Sequence, residues 1–445
     1  MTPQSAGTAP PAKTSLSLFH RWLARAVTVE PREIASLVWS FVYFFCVLCS
    51  YYIMRPLREE MGVTVGQERL QTLFLMVFLV MLAAVPAFGW VVAQFPRQRI
   101  VPVVYGFLIV NLLGFWALFL AEARSPLIAS AFFVWVSVFN LFAVSLFWCV
   151  MSDRYTSGQA KQIYGFIAAG GSAGAVCGPL ITQSLVRPIG AANLLLVSIG
   201  FLLGAIICVH RLAPGMPPAQ SPEQDGSATQ AYGLVAGAQR IWQSSYLLQI
   251  AIWVLLANLI STLFYFEQAS IVGKTLSERT DRVQLFARMD LSVSILTILA
   301  QLSATGILMQ RLGVGVCIAA LPATAIVGLA ALSIAPTLAV IVTVVVIERA
   351  VTFAITSPAG RVLFTVVPPE DKYKAQNFID TVVYRGGDAA SGWVFNSLTK
   401  TLALPISGLA LLTTPFAILW LVLSFVLGHK LAERTDDTSP DGSAI

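Results

Sequence analysis

Charge is scarce in this 445-residue chain: Asp, Glu, Lys and Arg together make up 11% of it, against roughly 25% in a soluble globular domain. Histidine is scarcer still, with three residues, His20, His210 and His429. A serine or zinc hydrolase needs an imidazole beside its nucleophile or metal, and none of these three falls inside a long apolar run. Gly170-Gly-Ser172-Ala-Gly174 fits the G-x-S-x-G pattern of a nucleophile elbow. Without a histidine base it reads as helix-packing glycine. The six cysteines (Cys46, Cys49, Cys149, Cys177, Cys208 and Cys317) all lie in apolar runs. They read as small buried hydrophobes, not as a disulfide framework or metal ligands. Gly273-Lys274-Thr275 ends like a phosphate loop, but Gln268 stands where the leading glycine belongs. No metal, cofactor or enzymatic activity is expected. The net charge of +6 is spread over polar connections, which suits an anionic lipid surface and gives no sign of a nucleic-acid partner.

What the chain has in abundance is apolar length. Hydrophobic residues make up 57% of it, in runs long enough to cross a bilayer, so the class is all-α polytopic membrane protein. The runs predict twelve transmembrane helices, near 34–54, 71–93, 100–121, 127–151, 163–186, 191–210, 246–267, 290–310, 313–334, 337–357, 376–399 and 405–428. Residues 1–33 form a polar N-terminal segment, read as cytoplasmic and not as a cleavable signal peptide; Phe19, Trp22, Leu23 and Ala26 would share one face of a short interfacial helix, with a disordered tail as the alternative. The domains expected are a first half at 34–210, a cytoplasmic linker at 211–245, a second half at 246–428 and a cytoplasmic tail at 429–445. Cytoplasmic loops carry the larger share of Lys and Arg if both termini lie inside, which orients the chain in a bacterial inner membrane. On that reading Arg55, Arg58 and Arg69 sit in an outer loop facing Glu59, Glu60 and Glu68. Asp290 likewise belongs to an outer polar stretch with Glu278 and Asp281.

Two pairs of motifs recur about half a chain apart. Gly89 starts a turn, GWVVAQFPRQR, and Gly306 starts GILMQRLGVG; GGSAG from Gly170 returns as GGDAA from Gly386 with nearly the same separation. Matching offsets imply two homologous halves, as in an alternating-access carrier. The turns resemble the major facilitator superfamily signature G-x-x-x-D-R-x-G-R-R. The second copy keeps Gly306, Gln310, Arg311 and Gly313, and the first keeps Gly89, Arg97 and Arg99 but has Ala93 and Gln94 at the acid and arginine positions. That resemblance implies two pseudo-twofold six-helix halves, with Gly89, Arg97, Gly306 and Arg311 acting in gating. Gly165, Gly174, Gly178 and Pro179 follow the superfamily's antiporter motif, with Thr182 and Gln183 replacing its closing glycines. It implies exchange; plain helix packing is the alternative.

Three blocks carry a closer likeness: Ser50–Gly62 (SYYIMRPLREEMG), Ser145–Gly171 (SLFWCVMSDRYTSGQAKQIYGFIAAGG) and Ser357–Gly392 (SPAGRVLFTVVPPEDKYKAQNFIDTVVYRGGDAASG). Together they resemble the ATP/ADP translocase, or nucleotide transporter, family in its bacterial branch. The family's charged pair after the first span corresponds to Arg58 and Glu59, its arginine to Arg55 and its seventh-span acid to Glu267. Its fourth-span acid is replaced by Val136, and its lysine after Pro358 by Gly360, with Arg361 one step on.

Charged residues within spans are costly, about 2.5–3.5 kcal/mol each at the bilayer centre, so each is a candidate for function. Glu348 and Arg349 lie mid-way along the tenth span, and Arg385 and Asp388 lie three apart on the eleventh, close enough to pair. The substrate-binding set expected is Arg55, Arg58, Glu267, Arg349, Asn140 and Asn258; the coupling set is Glu348, Arg385 and Asp388. Tyr43, Phe44, Phe45, Tyr51 and Tyr52 offer rings for stacking, though lipid-facing aromatics are the commoner explanation. The expected function is secondary transport of an organic anion, a nucleotide or phosphorylated metabolite first, by a monomer that exchanges it for protons or a counter-substrate. Proton-coupled efflux of a hydrophobic compound is the alternative, and a non-transporting receptor or scaffold the third.

Overall fold

The computed structural model describes residues 34–94, 97–121, 125–155, 157–212, 237–402 and 405–438. The interfacial helix expected within 1–33 and most of the linker lie outside those residues. Every regular element among the described residues is helical, and nine helices are long and apolar enough to cross a membrane. In chain order the long helical segments are α1 (Ile34–Val65), α2 (Gln67–Gln94), α3 (Arg97–Leu120), α4 (Pro126–Arg154), α5 (157–189), α6 (191–212), α7 (Ser245–Thr275), α8 (279–312), α9 (314–334), α10 (338–362), α11 (369–402) and α12 (Ile406–Thr438), with a short helical stretch at 237–243 ahead of α7. Three boundaries are single glycines. Gly66 (φ 88°) divides α1 from α2, Gly190 (φ 80°) divides α5 from α6 and Gly313 (φ 79°) divides α8 from α9. Only a residue without a Cβ enters that left-handed region freely.

Several expected boundaries move, always toward longer helices. The turn expected at Gly89 is not formed there: Gly89 and Gly306 both lie within helical runs, the first continuing to Gln94. The last span, expected to end near 428, continues to Thr438. Most consequential, α1 runs on to Val65, and the charged stretch before the eighth span is the first half of α8. The charges assigned to outer loops therefore stand on helices. Hydropathy reads a charged turn as a loop end, whereas a helix continues through it when each charge finds a partner on a neighbour.

Helix association in lipid has no water-exclusion drive, so close backbone approach takes its place. The glycines of α5 show this. A Cβ at Gly174 would lie 2.6 Å from the Phe45 carbonyl oxygen, and one at Gly178 would lie 2.6 Å from the Tyr52 Cβ, so α5 rests directly on α1. Thr182 donates to the Ile53 carbonyl on the same face, and the Ser50 and Ser198 hydroxyls meet at 2.7 Å where α6 packs on α1. Gly315 against Gly428 does the same for α9 and α12. The GGSAG segment is thus packing surface. The first six and last six segments meet through α1 with α7 and α8, α2 with α7 and α11, and α5 with α8.

Gly174→Leu forces α1 and α5 apart, whereas Gly106, with nothing within 4 Å of an added Cβ, has room for the same change. Thermal unfolding of the detergent-purified protein should show Gly174→Leu destabilised by about 1–3 kcal/mol or more and Gly106→Leu close to wild type.

Candidate functional site

The chain's unusual charges converge where these two groups of helices touch. Arg55 and Arg58 lie one turn apart on α1, beyond its apolar run, so they share a face. Arg349 lies in the last turn of the regular part of α10, which ends at Val351 where a π-helical turn at Thr352–Thr356 begins. A second π-turn on α8, Gln301–Thr305, packs against it. There the Thr305 hydroxyl donates to the Ala354 carbonyl at 2.9 Å and the Gln301 amide to the Phe353 carbonyl at 3.2 Å. A π-turn upsets the regular i→i+4 ladder, and side chains of the neighbouring helix bond its carbonyls here.

At the centre is Asp290 of α8, 1% exposed. Arg349 reaches its Oδ1 at 3.4 Å and Arg55 reaches the same oxygen at 3.6 Å. Arg58 holds Glu59 at 3.0 Å, lies 4.0 Å over the Phe133 ring and donates to the Phe133 carbonyl at 3.4 Å. The Tyr265 hydroxyl of α7 stands beside Glu59. Three guanidiniums, those of Arg55, Arg58 and Arg349, thus share two carboxylates, Glu59 and Asp290, drawn from α1, α8 and α10. Oδ2 of Asp290 and Oε2 of Glu59 are buried without a hydrogen-bond partner. Nearer the end of α1, buried Glu60 receives Arg279 at 2.9 Å and Arg282 at 3.9 Å and accepts from Thr64 at 2.6 Å.

The other expected site residues distribute around this cluster. Glu348 accepts from Ser261 of α7 at 2.7 Å, not from the adjacent Arg349. Asn258 is buried and donates to the Tyr384 carbonyl at 2.8 Å, tying α7 to α11. Glu267 is 1% exposed, and neither of its oxygens has a hydrogen-bond partner. Asn140 is half-buried on α4. Arg385 lies 5.6 Å from the Tyr384 ring, and among the described residues no ion pair within 4 Å joins it to Asp388, so the expected pairing along α11 is not formed. Arg361 pairs instead with Asp380 at 2.8 Å on an exposed surface. Of the gating set, Arg311 is exposed, Gly306 has open space around it, and the Arg97 side chain lies outside the described residues. The aromatic run divides: Phe44 stacks on Phe147 at 4.1 Å within the core, while Tyr52 lies 5.5 Å below Arg55.

Asp290 is the residue that sequence reasoning misplaced. A signal for it does exist. Val283, Phe286, Ala287, Asp290, Val293 and Ser294 are all buried and repeat at helical spacing, so the acid sits on the inward stripe of an otherwise polar-looking helix.

No protein-family model matches the sequence, and no curated protein matches it. Solved structures do. The nucleoside transporter NupG aligns over 91% of this chain and 98% of its own, with 14% identity and a TM-score of 0.61. A bacterial homologue of the iron transporter ferroportin, in an inward-facing state, covers 90% and 98% at 12% identity and 0.62. An autoinhibited peptide transporter of the POT family covers 92% and 99% at 13% identity and 0.59. At such identities the likeness is one of fold, and it extends over nearly the whole of both chains. This chain is a multi-pass, all-α membrane protein with the major facilitator fold.

Proposed function

We propose that this chain is a secondary transporter that moves an organic anion across the bilayer by alternating access, with a nucleotide or a related phosphorylated metabolite as the favoured class. In this reading the chain spans the membrane twelve times. Its two six-helix halves, 34–210 and 246–428, are related by a pseudo-twofold axis, and both termini are cytoplasmic. The observation that carries it is the excess of guanidinium over carboxylate at the contact between the halves: Arg55 and Arg58 from one, Arg349 from the other. Guanidinium forks suit phosphoryl and carboxylate groups, and a partly desolvated positive cluster holds them far better than an exposed one does. Support for a carrier, as opposed to an enzyme or a scaffold, comes from the transporter folds it resembles. The Ser50–Gly62 block, which holds Arg55 and Arg58, and the separate match at Glu267 favour the nucleotide-transporter likeness. Polar contacts between the halves gather toward the end where α1 stops and α2 begins. In the expected orientation that end is the outer one, which suits a carrier sealed outside. Counterflow in proteoliposomes loaded with nucleotides, sugar phosphates or dicarboxylates tests the reading. Arg349→Ala should abolish uptake of the accepted anion while the protein remains folded and monodisperse; wild-type uptake by that variant would remove Arg349 from the site.

The second reading, proton-coupled efflux of a hydrophobic compound, is favoured by one observation. Glu267 is buried with neither oxygen hydrogen-bonded, and an ionised carboxylate so placed is expensive, which suits a residue that carries a coupling proton. Under this reading Glu267→Gln eliminates stimulation of transport by an imposed pH gradient, and Arg349→Ala is tolerated. Anion counterflow indifferent to the pH gradient in both wild type and Glu267→Gln decides for the first reading.

A further inference from the structure

One helix carries most of the polar contacts between the two groups of helices. Along α8, Arg279 and Arg282 reach Glu60, Asp281 meets Arg187 at 3.1 Å, and the Gln284 amide donates to the Gln183 carbonyl at 3.3 Å. Deeper in, Asp290 receives Arg55, and the Ser294 hydroxyl donates to the Ala175 carbonyl at 3.0 Å. At 1.5 Å per residue this ladder runs about 22 Å inward from the end of the bundle.

The rung at Asp290 differs from the outermost one in its burial: the Arg187–Asp281 pair is 65% and 44% exposed, whereas the Asp290 carboxylate, like that of Glu60, is buried. It is shared with Arg349, so one carboxylate oxygen serves guanidiniums from both groups of helices. And it is loosely made: contacts of 3.4 and 3.6 Å exceed the roughly 2.7–2.9 Å of a well-seated charged hydrogen bond. Oδ2, meanwhile, meets no donor at all. Two forks of five donors each therefore converge on a group that uses half of its acceptors. A phosphoryl or carboxylate group brought by a ligand, with oxygens free to meet both forks, satisfies them better than this single oxygen does.

We propose that Asp290 is an internal stand-in for the transported anion. An incoming phosphoryl or carboxylate group takes its place between Arg55 and Arg349, and that exchange breaks the innermost ion pair of the α8 ladder, so that separation of the two groups of helices depends on a bound anion. The inference rests on the anion-carrier reading above and adds a coupling to it. Without an internal carboxylate, an empty carrier would leave two guanidiniums facing each other at the contact, and unpaired buried charge is strongly unfavourable. With it, the arginines are balanced both in the empty carrier, by Asp290, and in the loaded one, by the ligand. A ligand competing with an internal group binds more weakly by the fraction of time its site is free. Removing the competitor therefore raises affinity, the reverse of what loss of a direct ligand contact does.

The test uses the full chain in lipid nanodiscs, with AMP and inorganic phosphate as probes. Binding is measured by calorimetry and opening of the ladder by hydrogen–deuterium exchange over residues 276–294. Asp290→Asn should bind AMP about tenfold more tightly than wild type. It should also exchange faster over 276–294 without ligand, matching wild type saturated with AMP. Asp290→Glu, which keeps the charge on a longer stem, should bind AMP severalfold more weakly and stay protected; it serves as the measurement if the Asn variant does not fold. Binding lost in Arg349→Ala but unchanged in both Asp290 variants leaves the anion site standing and overturns this proposal alone. AMP or phosphate binding indifferent to Arg349, or absent from every variant, overturns the anion-site reading and this proposal with it.

Discussion

Asp290, between Arg55 and Arg349, is the contact on which the rest of the arrangement turns. In a chain with so little charge, three guanidiniums and two carboxylates meet at the contact between the first six and last six segments. Dispersed individually into lipid, each would cost several kcal/mol; gathered into one cluster, they balance each other and are shielded by protein. This sets the depth of α1, which must continue past its apolar run to deliver Arg55 and Arg58, and of α8, which must bring its polar first half inside the bundle. It also binds the two groups of helices to each other through a contact that is electrostatic, which a core of interlocked leucine would not be.

The packing within each group is of another kind. Gly174 and Gly178 put α5 against the backbone of α1, and Ser50 with Ser198 closes α6 against the same helix. Contacts of that sort resist sliding, since any displacement drives backbone into side chain. The contacts between groups are fewer, and many are ion pairs or single side-chain hydrogen bonds to carbonyls, such as Ser294 to Ala175 and Gln284 to Gln183. Rigid groups joined by replaceable polar links are what a rocking carrier requires.

Much of the fold was legible from residues alone. Apolar length located the helices, and the paired glycine motifs led to the expectation of two homologous halves. The packing role of GGSAG followed from the lack of any histidine nearby. Arg349 was singled out as a charge within a span, and Arg55 and Arg58, expected in an outer loop, by the family likeness; the structure brings all three together. Asp290 was missed because a polar helix start and a loop look alike to hydropathy; only the spacing of its buried neighbours tells them apart. The Arg385–Asp388 pairing failed for a related reason. Sequence spacing places both on adjoining positions of a helix, but rotamers answer to neighbouring helices, and here Tyr384 lies beside the arginine.

The sequence by itself determined that the chain is helical and membrane-spanning, because backbone in lipid has no other partner and the apolar runs have the length to cross. It determined, too, which residues are too polar to face lipid. Tertiary structure alone decided which of those residues meet: that Glu348 goes to Ser261 and Arg349 to Asp290, that Glu60 draws Arg279 across from α8, and that Glu267 is left without a donor. The physical reason is that the cost of burying a charge is local and can be read from one residue, whereas its compensation comes from helices distant in sequence, whose rotation and depth are set by the packing of the whole bundle.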